Sequence, residues 1–303
     1  MNNFMKKLKK KLSKLRVFYI IIFVVLLTYV VSMILPLLWA FFTAVKPYDE
    51  FLEDVVWAPD GFFWTWKWRN FIEVADGFFC QITTDAGRFR VGFLPMLINT
   101  LLYAVGSALI QAVVPCVVGY MTAKFDYKFS RFINVLVIVL MVLPIVGSAP
   151  SEMQILTKLG LFDRMIGNFI QKFNFLGMYY LIFHATFKGL SNDYMEAAYV
   201  DGASELRVLV QIALPMVITV LGTVFLIKFI EFWNDYQTPL LYLPSHATLA
   251  RGLFNLSQLK QGDFATVPFR MAGCMLFAMP ILILFIAFKE KLMGNISMGG
   301  VKE

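Results

Sequence analysis

The sequence predicts an all-α integral membrane protein with six transmembrane helices, and its composition and hydropathy pattern lead to that fold class. Only 16% of the 303 residues are charged, 59% belong to the hydrophobic set, and the mean hydropathy is +0.70. A soluble domain has about a quarter charged residues, so this chain lacks the polar surface that water requires. These features exclude a secreted disulfide scaffold, a disordered chain and a soluble enzyme.

Six long apolar segments are the predicted spans. A helix rises ~1.5 Å per residue, so about 20 apolar residues match the ~30 Å hydrocarbon core of a bilayer. The predicted spans are 17–42, 94–123, 132–149, 169–187, 214–236 and 268–288. Lys172 interrupts the fourth segment, but without that span the connection before the fifth span would lie on the wrong side of the membrane. Together the spans form one transmembrane domain, residues 17–288.

Positive charge sets the predicted orientation. With the N-terminus inside, the inner connections hold 15 Lys and Arg in about 65 residues, and the outer connections hold 9 in about 101. Cytoplasmic connections typically carry such an excess of basic residues. We therefore predict cytoplasmic N- and C-termini. The net charge of +7 indicates this orientation and contact with anionic inner-leaflet lipid, not a nucleic-acid partner.

Both ends of the chain are predicted to be cytoplasmic segments, residues 1–16 and 289–303. Phe4, Leu8 and Leu12 recur at helical intervals among lysines, which suits a short amphipathic helix on the inner membrane surface. A disordered basic tail that only sets topology is the alternative. The apolar run that follows is about twice the length of a signal-peptide core, so a cleaved signal is not expected.

The predicted extracellular loop, residues 43–93, is acidic and rich in tryptophan. Its tryptophans are Trp57, Trp64, Trp66 and Trp68. Indole favours the membrane–water boundary, which favours an interfacial aromatic belt. A docking surface for an extracellular partner and direct stacking on a sugar are the alternatives.

No catalytic residue, metal site or cofactor is predicted on this chain. Cys80, Cys116 and Cys274 are widely spaced, which gives neither a disulfide framework nor a metal site. The sequence has two histidines and no HExxH or GxSxG motif, so a membrane-embedded enzyme is disfavoured. It also has no GxxxxGK[ST] phosphate loop, so a partner must supply nucleotide energy.

Residues 188–213, between the fourth and fifth spans, predict a helix–bend–helix on the inner face. Asp193 and Glu196 have capping-box spacing, which predicts a helix from about Asn192 to Val200. Gly202 allows a positive φ that ends this helix, and Asp201 or Ser204 then starts a second one. Such a flat, alanine-faced helix can enter a cleft on another protein.

This segment resembles the EAA motif of permease subunits of bacterial ABC importers. The motif runs Glu-Ala-Ala, three residues, Gly, nine residues, then Ile-x-Leu-Pro, between two apolar spans. The matching positions are Glu196, Ala197, Ala198, Gly202, Ile212, Leu214 and Pro215. Seven positions at fixed offsets make the match specific.

Further motifs are similar to those of the carbohydrate permeases of the maltose-permease type. They are the Asp-Gly-Ala-Ser run at 201–204, the Trp-Asn-Asp-Tyr run at 233–236 followed by Pro239-Leu240, and the Gly-Gly-Val-Lys tail at 299–302. The resemblance covers roughly residues 10–303, and its weak part is the long loop 43–93.

The resemblance implies a type I ABC importer permease fold in a bacterial plasma membrane. It implies a second homologous permease subunit, two ATPase subunits that bind ATP and Mg, and an extracellular solute-binding protein as partners. The cytoplasmic coupling helices, 192–213, would dock on an ATPase subunit. The implied coupling residues are Glu196, Ala197, Ala198, Asp201, Gly202, Ile212, Leu214 and Pro215. The tail residues Gly299, Gly300, Val301 and Lys302 would also reach the ATPase pair.

Charged residues inside the fifth span indicate either an internal ion pair or the substrate path. Lys228, Glu231 and Asp235 share one helical face, and an unpaired charge at mid-membrane costs about 2.5–3.5 kcal/mol. A sugar needs aromatic faces and amide or carboxylate groups. The candidate path residues are Lys228, Glu231, Trp233, Asn234, Asp235, Gln111 and Asn99.

The predicted function is the permease subunit of an ATP-driven importer that moves a carbohydrate into the cytoplasm by alternating access. One alternative is an ABC importer permease for a non-sugar polar solute. The other is an ion-coupled secondary transporter that uses Lys228 and Glu231 as a relay. Such transporters show internal repeats and interrupted helices at the midplane, and neither is evident in the sequence.

Overall fold

A computed structural model describes residues 2–84, 87–143, 147–258 and 265–293 of the chain. Within these ranges the structure is mainly helical, with one two-stranded antiparallel sheet. Four helical segments are long and apolar enough to cross a membrane: Phe18–Ala44, Phe93–Lys124, Glu205–Asn234 and Val267–Leu284. They correspond to the first, second, fifth and sixth predicted spans. The chain divides into two compact units, residues 1–77 with 259–276, and residues 78–258 with 277–303.

The described helices of the first unit are α1 (Asn2–Ala44), α2 (Tyr48–Glu53), α3 (Arg69–Gly77) and the first part of α14 (Val267–Met293). Helix α1 is continuous from Asn2, so the basic N-terminal segment and the first span share one helix. All side chains from residue 18 to residue 38 are exposed. An apolar helix with no covered face is suited to lipid or to another subunit.

Polar groups after the end of α1 close the first part of the loop that follows this helix. The last carbonyls of a helix lack intrahelical partners. The Asn70 side-chain amide donates to the carbonyl oxygens of Ala44 and Lys46, at 2.9 and 3.0 Å. The buried Lys46 Nζ donates to the carbonyls of Asp54 and Trp57, at 2.7 and 3.0 Å. The first turn of this loop is therefore closed by side-chain bonds to its backbone.

Asp54 completes this closure as an acceptor. Its carboxylate accepts from the backbone N–H of Val56 at 3.0 Å and of Trp57 at 3.3 Å, and lies 3.7 Å from Lys46 Nζ. Hydrogen bonds from these two backbone groups and the nearby Lys46 charge lower the pKa of Asp54. The carboxylate therefore stays ionised where it holds the turn.

The second unit is built around the helix α4. Its elements are β1 (Cys80–Thr84), β2 (Gly87–Val91), α4 (Phe93–Lys124), α5 (Lys128–Val142), α6 (Ala149–Lys158), α7 (Met165–Gln171), α8 (Met178–Lys188), α9 (Asp193–Val200), α10 (Glu205–Val208), α11 (Leu214–Asn234), α12 (Gln237–Tyr242), α13 (Leu249–Gln258) and the rest of α14. The strands pair antiparallel, with Cys80 opposite Val91. Helix α4 packs mainly against α8 and α11.

Small residues in α4 allow this close packing. A Cβ added at Gly119 would lie 2.9 Å from Phe183 Cβ and 3.0 Å from the backbone nitrogen of His184 on α8. A Cβ at Gly106 would lie 2.5 Å from the Phe169 ring on α7. Small residues at these positions therefore let α4 approach α7 and α8 closely inside the bundle.

The predicted third and fourth spans differ from the observed helices. The third segment forms α5, which ends at Val142, and Ala149 already begins α6. The fourth is not one continuous helix, because α7 ends at Gln171 and α8 begins at Met178. Between them, Asn174 Oδ1 accepts from the backbone N–H of Leu176 at 2.8 Å, so a side chain closes the turn.

Gly119 tests the α4–α8 contact. We expect Gly119→Ala to destabilise the chain by about 1–3 kcal/mol, because the new methyl group meets backbone and Cβ atoms that cannot yield locally. The control is Gly222→Ala in α11, where an added Cβ meets nothing within 4 Å. This control should be neutral or stabilise by about 0.5–1 kcal/mol. Thermal unfolding of the full-length variants in detergent measures the stability of each. Equal melting temperatures of Gly119→Ala and Gly222→Ala would contradict the tight contact at Gly119.

Candidate coupling helix and transmembrane cavity

Helix α9 (Asp193–Val200) contains the Glu-Ala-Ala motif, and its start differs from the prediction. Asn192, not Asp193, is the N-cap residue, and its side chain makes no capping bond. Asp193 and Glu196 both lie in the first turn, where carboxylates favour the positive end of the helix dipole. The predicted capping box is therefore wrong, whereas the helix itself lies within one residue of the prediction.

The bend after α9 is the one that the sequence predicted. Gly202 has φ of +80°, a conformation that only glycine adopts at no cost. Ala203 N then donates to the Ala198 carbonyl at 2.9 Å, which satisfies the end of α9. Of the two candidate starts for the next helix, Ser204 is the cap, because its Oγ accepts from Arg207 N at 3.4 Å.

The second predicted coupling helix is not separate from the fifth span. Helix α10 (Glu205–Val208) continues through one π-helical turn, Leu209–Ala213, into α11. The segment Glu205–Asn234 is therefore one membrane-length helix. Ile212 lies in the π-helical turn, and Leu214 and Pro215 follow it directly at this junction. A displacement of α9 would thus act on the root of a transmembrane helix.

One face of α9 packs into the core of the second unit. Met195 and Ala198 are buried in a cluster with Tyr120, Phe187 and Val208, which come from α4, α8 and α10. Apolar burial of this kind fixes the helix at the end of the bundle.

A lysine at the end of α4 adds a polar anchor. Lys124 Nζ donates to the Leu190 carbonyl at 2.7 Å and to Asn192 Oδ1 at 2.8 Å. Lys124 thereby ties the N-cap residue of α9 to the last residue of α4. Sequence reasoning missed this role, because Lys124 entered only the count of basic residues in the inner connections.

The opposite face of α9 is exposed. Glu196, Ala197 and Gly202 are all exposed, and Val200 is 87% exposed. Tyr194 and Leu206 extend the same kind of apolar surface. The helix therefore presents small and apolar side chains outward while its other face is held by the bundle.

A cavity of about 280 Å³ lies in the second unit, between α4, α11 and the break before α8. Its lining residues are Gln111, Pro115, Asn174, Phe175, Leu176, Gly177, Met178, Tyr179, Tyr180 and Lys228. The structure thus brings together two of the predicted path residues, Gln111 and Lys228. The break in the fourth predicted span supplies most of the remaining wall, including an amide and aromatic rings.

Lys228 is held at this cavity by a charge and by a ring. Its Nζ donates to Glu231 Oε2 at 2.8 Å and lies 5.0 Å from the centroid of the Tyr179 ring. The Lys228 side chain is 14% exposed, whereas that of Glu231 is 55% exposed. The ion pair and the cavity lining therefore coexist, so the two interpretations of Lys228 do not exclude each other.

Asp235 and Lys172 extend the charged face of α11. Asp235 accepts from the Tyr103 hydroxyl at 2.6 Å and from Thr238 N at 3.0 Å. Lys172 Nζ lies 4.8 Å from the Phe232 ring centroid and interacts electrostatically with Asp235. The lysine that interrupted the fourth apolar segment thus ends α7 where it meets α11.

Three predicted path residues have structural roles instead. Trp233 is fully buried, with its Nε1 donating to the Phe277 carbonyl at 3.3 Å. Asn99 donates to the Ala247 carbonyl at 3.0 Å, and Asn234 to the carbonyl of Ile230 in its own helix at 2.7 Å. None of the three lines the cavity. Residue chemistry was suitable in each case, but the hydrogen bonds are made within the fold.

Asn174 and Tyr179 are the cavity residues that sequence reasoning missed. The signal was available, because an Asn and a Gly interrupt an apolar run at positions 174 and 177, a pattern typical of a break. The predicted tail residues Gly299, Gly300, Val301 and Lys302 lie outside the described residues. Among the residues that the structure describes, no three His, Cys, Asp or Glu side chains form a metal-ligand group.

Comparisons with known proteins agree with this arrangement. Residues 115–292, more than half of the chain, match the family model described as "Binding-protein-dependent transport system inner membrane component". The chain is 24% identical over 285 residues to the probable ABC transporter permease protein YurM of Bacillus subtilis, covering 93% of this chain and 88% of YurM. It is 23% identical over 280 residues to the diacetylchitobiose uptake system permease protein NgcG of Streptomyces coelicolor, covering 90% and 86%.

A solved structure shares the fold. It is a bacterial ABC transporter involved in the import of the acidic polysaccharide alginate, matched with a TM-score of 0.72 and 19% identity over 91% of this chain and 96% of that one. The family match spans α9 and every lining residue of the cavity except Gln111. The chain therefore belongs to the family of inner-membrane components of binding-protein-dependent transport systems, as a multi-pass transport subunit whose ATP hydrolysis lies on separate subunits.

Proposed function

We propose that this chain moves a carbohydrate, delivered by an extracellular solute-binding protein, into the cytoplasm together with a second homologous permease and two ATPase subunits. The observation that carries the proposal is α9. It is anchored to the bundle on one face, exposed on the other, and followed by Gly202 at a φ of +80°. A helix of this kind can enter a groove on an ATPase and transmit its movement to α4 and α11.

The coupling residues have different roles in this proposal, according to where each lies in the structure. Glu196, Ala197 and Gly202 contact the ATPase directly, because they are exposed. Ala198 lets α9 lie close to the bundle, and Asp201 is in the exposed bend. Ile212, Leu214 and Pro215 form the root of α11, which moves with α9. The tail 299–302 is a second ATPase contact, and ATP and Mg bind only to that partner.

For topology, we propose six crossings with both termini in the cytoplasm. Four crossings are the membrane-length helices. The segment α5 is the third, and α7 with α8 forms the fourth as a broken crossing whose interruption lines the cavity. Irregular backbone at membrane depth is tolerated where it faces a cavity in the protein. The excess of basic residues on the inner side supports this orientation.

The cavity supports a polar, hydroxyl-rich substrate. Gln111 and Asn174 offer amide groups, Lys228 offers a charged donor, and Tyr179 offers an aromatic face. Saccharides present hydroxyls and apolar C–H faces, so these groups suit them. Relatives named for saccharides, such as the arabinooligosaccharide permease AraQ of Bacillus subtilis at 24% identity over 67% of this chain, agree with that class.

Gly202 tests the coupling assignment. We expect Gly202→Val to reduce uptake about tenfold while ATP hydrolysis continues, because a β-branched residue at this φ costs roughly 1–2 kcal/mol and distorts the bend. Gly202→Asn is the matched control, since Asn tolerates positive φ, and it should retain uptake. Uptake and ATPase activity of the assembled transporter in proteoliposomes measure both. Normal uptake by a correctly inserted Gly202→Val variant would refute the assignment.

Lys228 tests the substrate path. We expect Lys228→Gln to raise the substrate concentration needed for half-maximal uptake roughly ten- to hundredfold, since a charge-assisted hydrogen bond contributes about 1.5–3 kcal/mol. Exchanging the pair, as Lys228→Glu with Glu231→Lys, should not restore affinity.

If Lys228 and Glu231 form a purely structural ion pair, exchanging the two residues should instead restore substrate affinity fully. The control is Thr223→Val on the same helix, because the Thr223 hydroxyl bonds the Thr219 carbonyl at 2.9 Å and does not line the cavity. Uptake kinetics at several substrate concentrations distinguish the two results.

The energy source separates this proposal from an ion-coupled transporter, whose broken helices resemble the α7–α8 break. Uptake in cells should stop on ATP depletion and continue when a proton uncoupler is added at constant ATP. The purified chain in liposomes without companion subunits should move no solute. Uptake by the chain alone, driven by a proton gradient, would support the ion-coupled alternative.

A further inference from the structure

An exposed aromatic surface lies in the loop after α1, within the first unit. It consists of residues 55–57 and 62–64, and we call it the aromatic ledge. Trp57 is 77% exposed, Phe62 68% and Trp64 66%, and Val55, Val56 and Phe63 are exposed as well. An apolar patch of adjacent large side chains on a protein surface marks an interaction site.

A hydrogen bond joins the ledge to α1 at a defined distance along the helix axis. Trp39 Nε1 donates to the Val55 carbonyl at 2.8 Å. Trp39 is 21 residues after Phe18, the first residue of the membrane-length part of α1, so it lies about 32 Å along the axis at ~1.5 Å per residue. A tilt of about 20° reduces this height to about 30 Å, the thickness of the hydrocarbon core. The ledge therefore starts where the outer hydrocarbon boundary meets α1.

Ring contacts make the ledge a rigid extension of that helix. The Phe62 and Trp64 rings are stacked with centroids 4.8 Å apart and an interplanar angle of 6°. Behind them, Trp66 contacts Phe42 at 5.8 Å. Phe63 and Trp66 join the two layers at 6.5 Å. The surface is thus held by packing rather than by loop conformation alone.

The polar groups of the ledge fit a membrane interface. The rings of Trp57 and Trp64 are exposed, which brings their indole N–H groups to the protein surface. An indole at the boundary keeps its ring in apolar surroundings and gives its N–H to headgroups or water. Arg69 follows the ledge and is exposed, and its Nε pairs with Glu73 Oε1 at 3.1 Å.

We propose that the aromatic ledge inserts into the headgroup boundary of the outer leaflet, so that its occupant is lipid. Its continuity with α1 carries the choice, since every side chain from residue 18 to residue 38 is exposed and this helix is long and apolar enough to cross the hydrocarbon core. A sugar platform would need polar partners for hydroxyls beside the rings. The nearby Lys46 and Asp54 groups are instead bonded to the backbone of the loop.

Nitroxide labels test the proposal in the assembled transporter, reconstituted in phosphatidylcholine–phosphatidylglycerol nanodiscs. One label at a time is placed at Trp57 or Trp64 in a background in which Cys80, Cys116 and Cys274 are replaced by Ser. The control label is at Ile72, which is also exposed and apolar but lies on α3. We expect collisions with oxygen to exceed collisions with a water-soluble nickel chelate severalfold at the ledge, with the reverse ratio at Ile72.

Two outcomes would overturn the proposal. The first is nickel accessibility at the ledge equal to that at Ile72, which would place the ledge in water. The second is a ledge that is water-accessible in the transporter alone and becomes protected only when the solute-binding protein or a saccharide is added. ATP-driven uptake by each labelled variant verifies that it is folded, and labels at the exposed Val56 repeat the measurement without removing an indole.

Discussion

The attachment of α9 to the end of α4 is the contact on which the functional geometry depends. Burial of Met195 and Ala198 would hold the helix by apolar area alone, a non-directional force. Lys124 adds direction, because its ammonium group donates to two oxygens next to the start of α9. The exposed face of α9 is thereby fixed in orientation, and a push on it reaches both α4 and the continuous helix that begins at Glu205.

The second determinant is the pairing of charged side chains within apolar surroundings. Lys228 is paired with Glu231 and stands over an aromatic ring, and Asp235 accepts a tyrosine hydroxyl. Each charge thus has a partner, which offsets the cost of removing it from water. Because the chain breaks between α7 and α8 beside these groups, the same region that satisfies the charges also leaves a cavity lined by amides and rings.

The first unit shows a different solution, in the loop that follows α1. There the end of α1 is closed by Asn70 and Lys46, which bond backbone carbonyls of the following loop. This closure sets the aromatic side chains of the loop in a fixed layer against α1. The segment has hydrogen-bonded polar groups inside the turn and aromatic rings outside it. It is therefore amphipathic, as segments at a membrane interface are.

Sequence alone determined the membrane class, four of the spans, the α9 helix and the bend at Gly202, because these depend on local hydropathy and on backbone conformations that few residues adopt. Of the predicted path residues, Gln111 and Lys228 line one cavity in the structure. The tertiary structure decided that Trp233 is a core residue and that the fourth span is broken. It also showed that Asn192 rather than Asp193 is the N-cap residue of α9. The reason is that hydrogen-bond partners far apart in sequence, and not residue chemistry, decide whether a polar side chain closes the fold or faces a cavity.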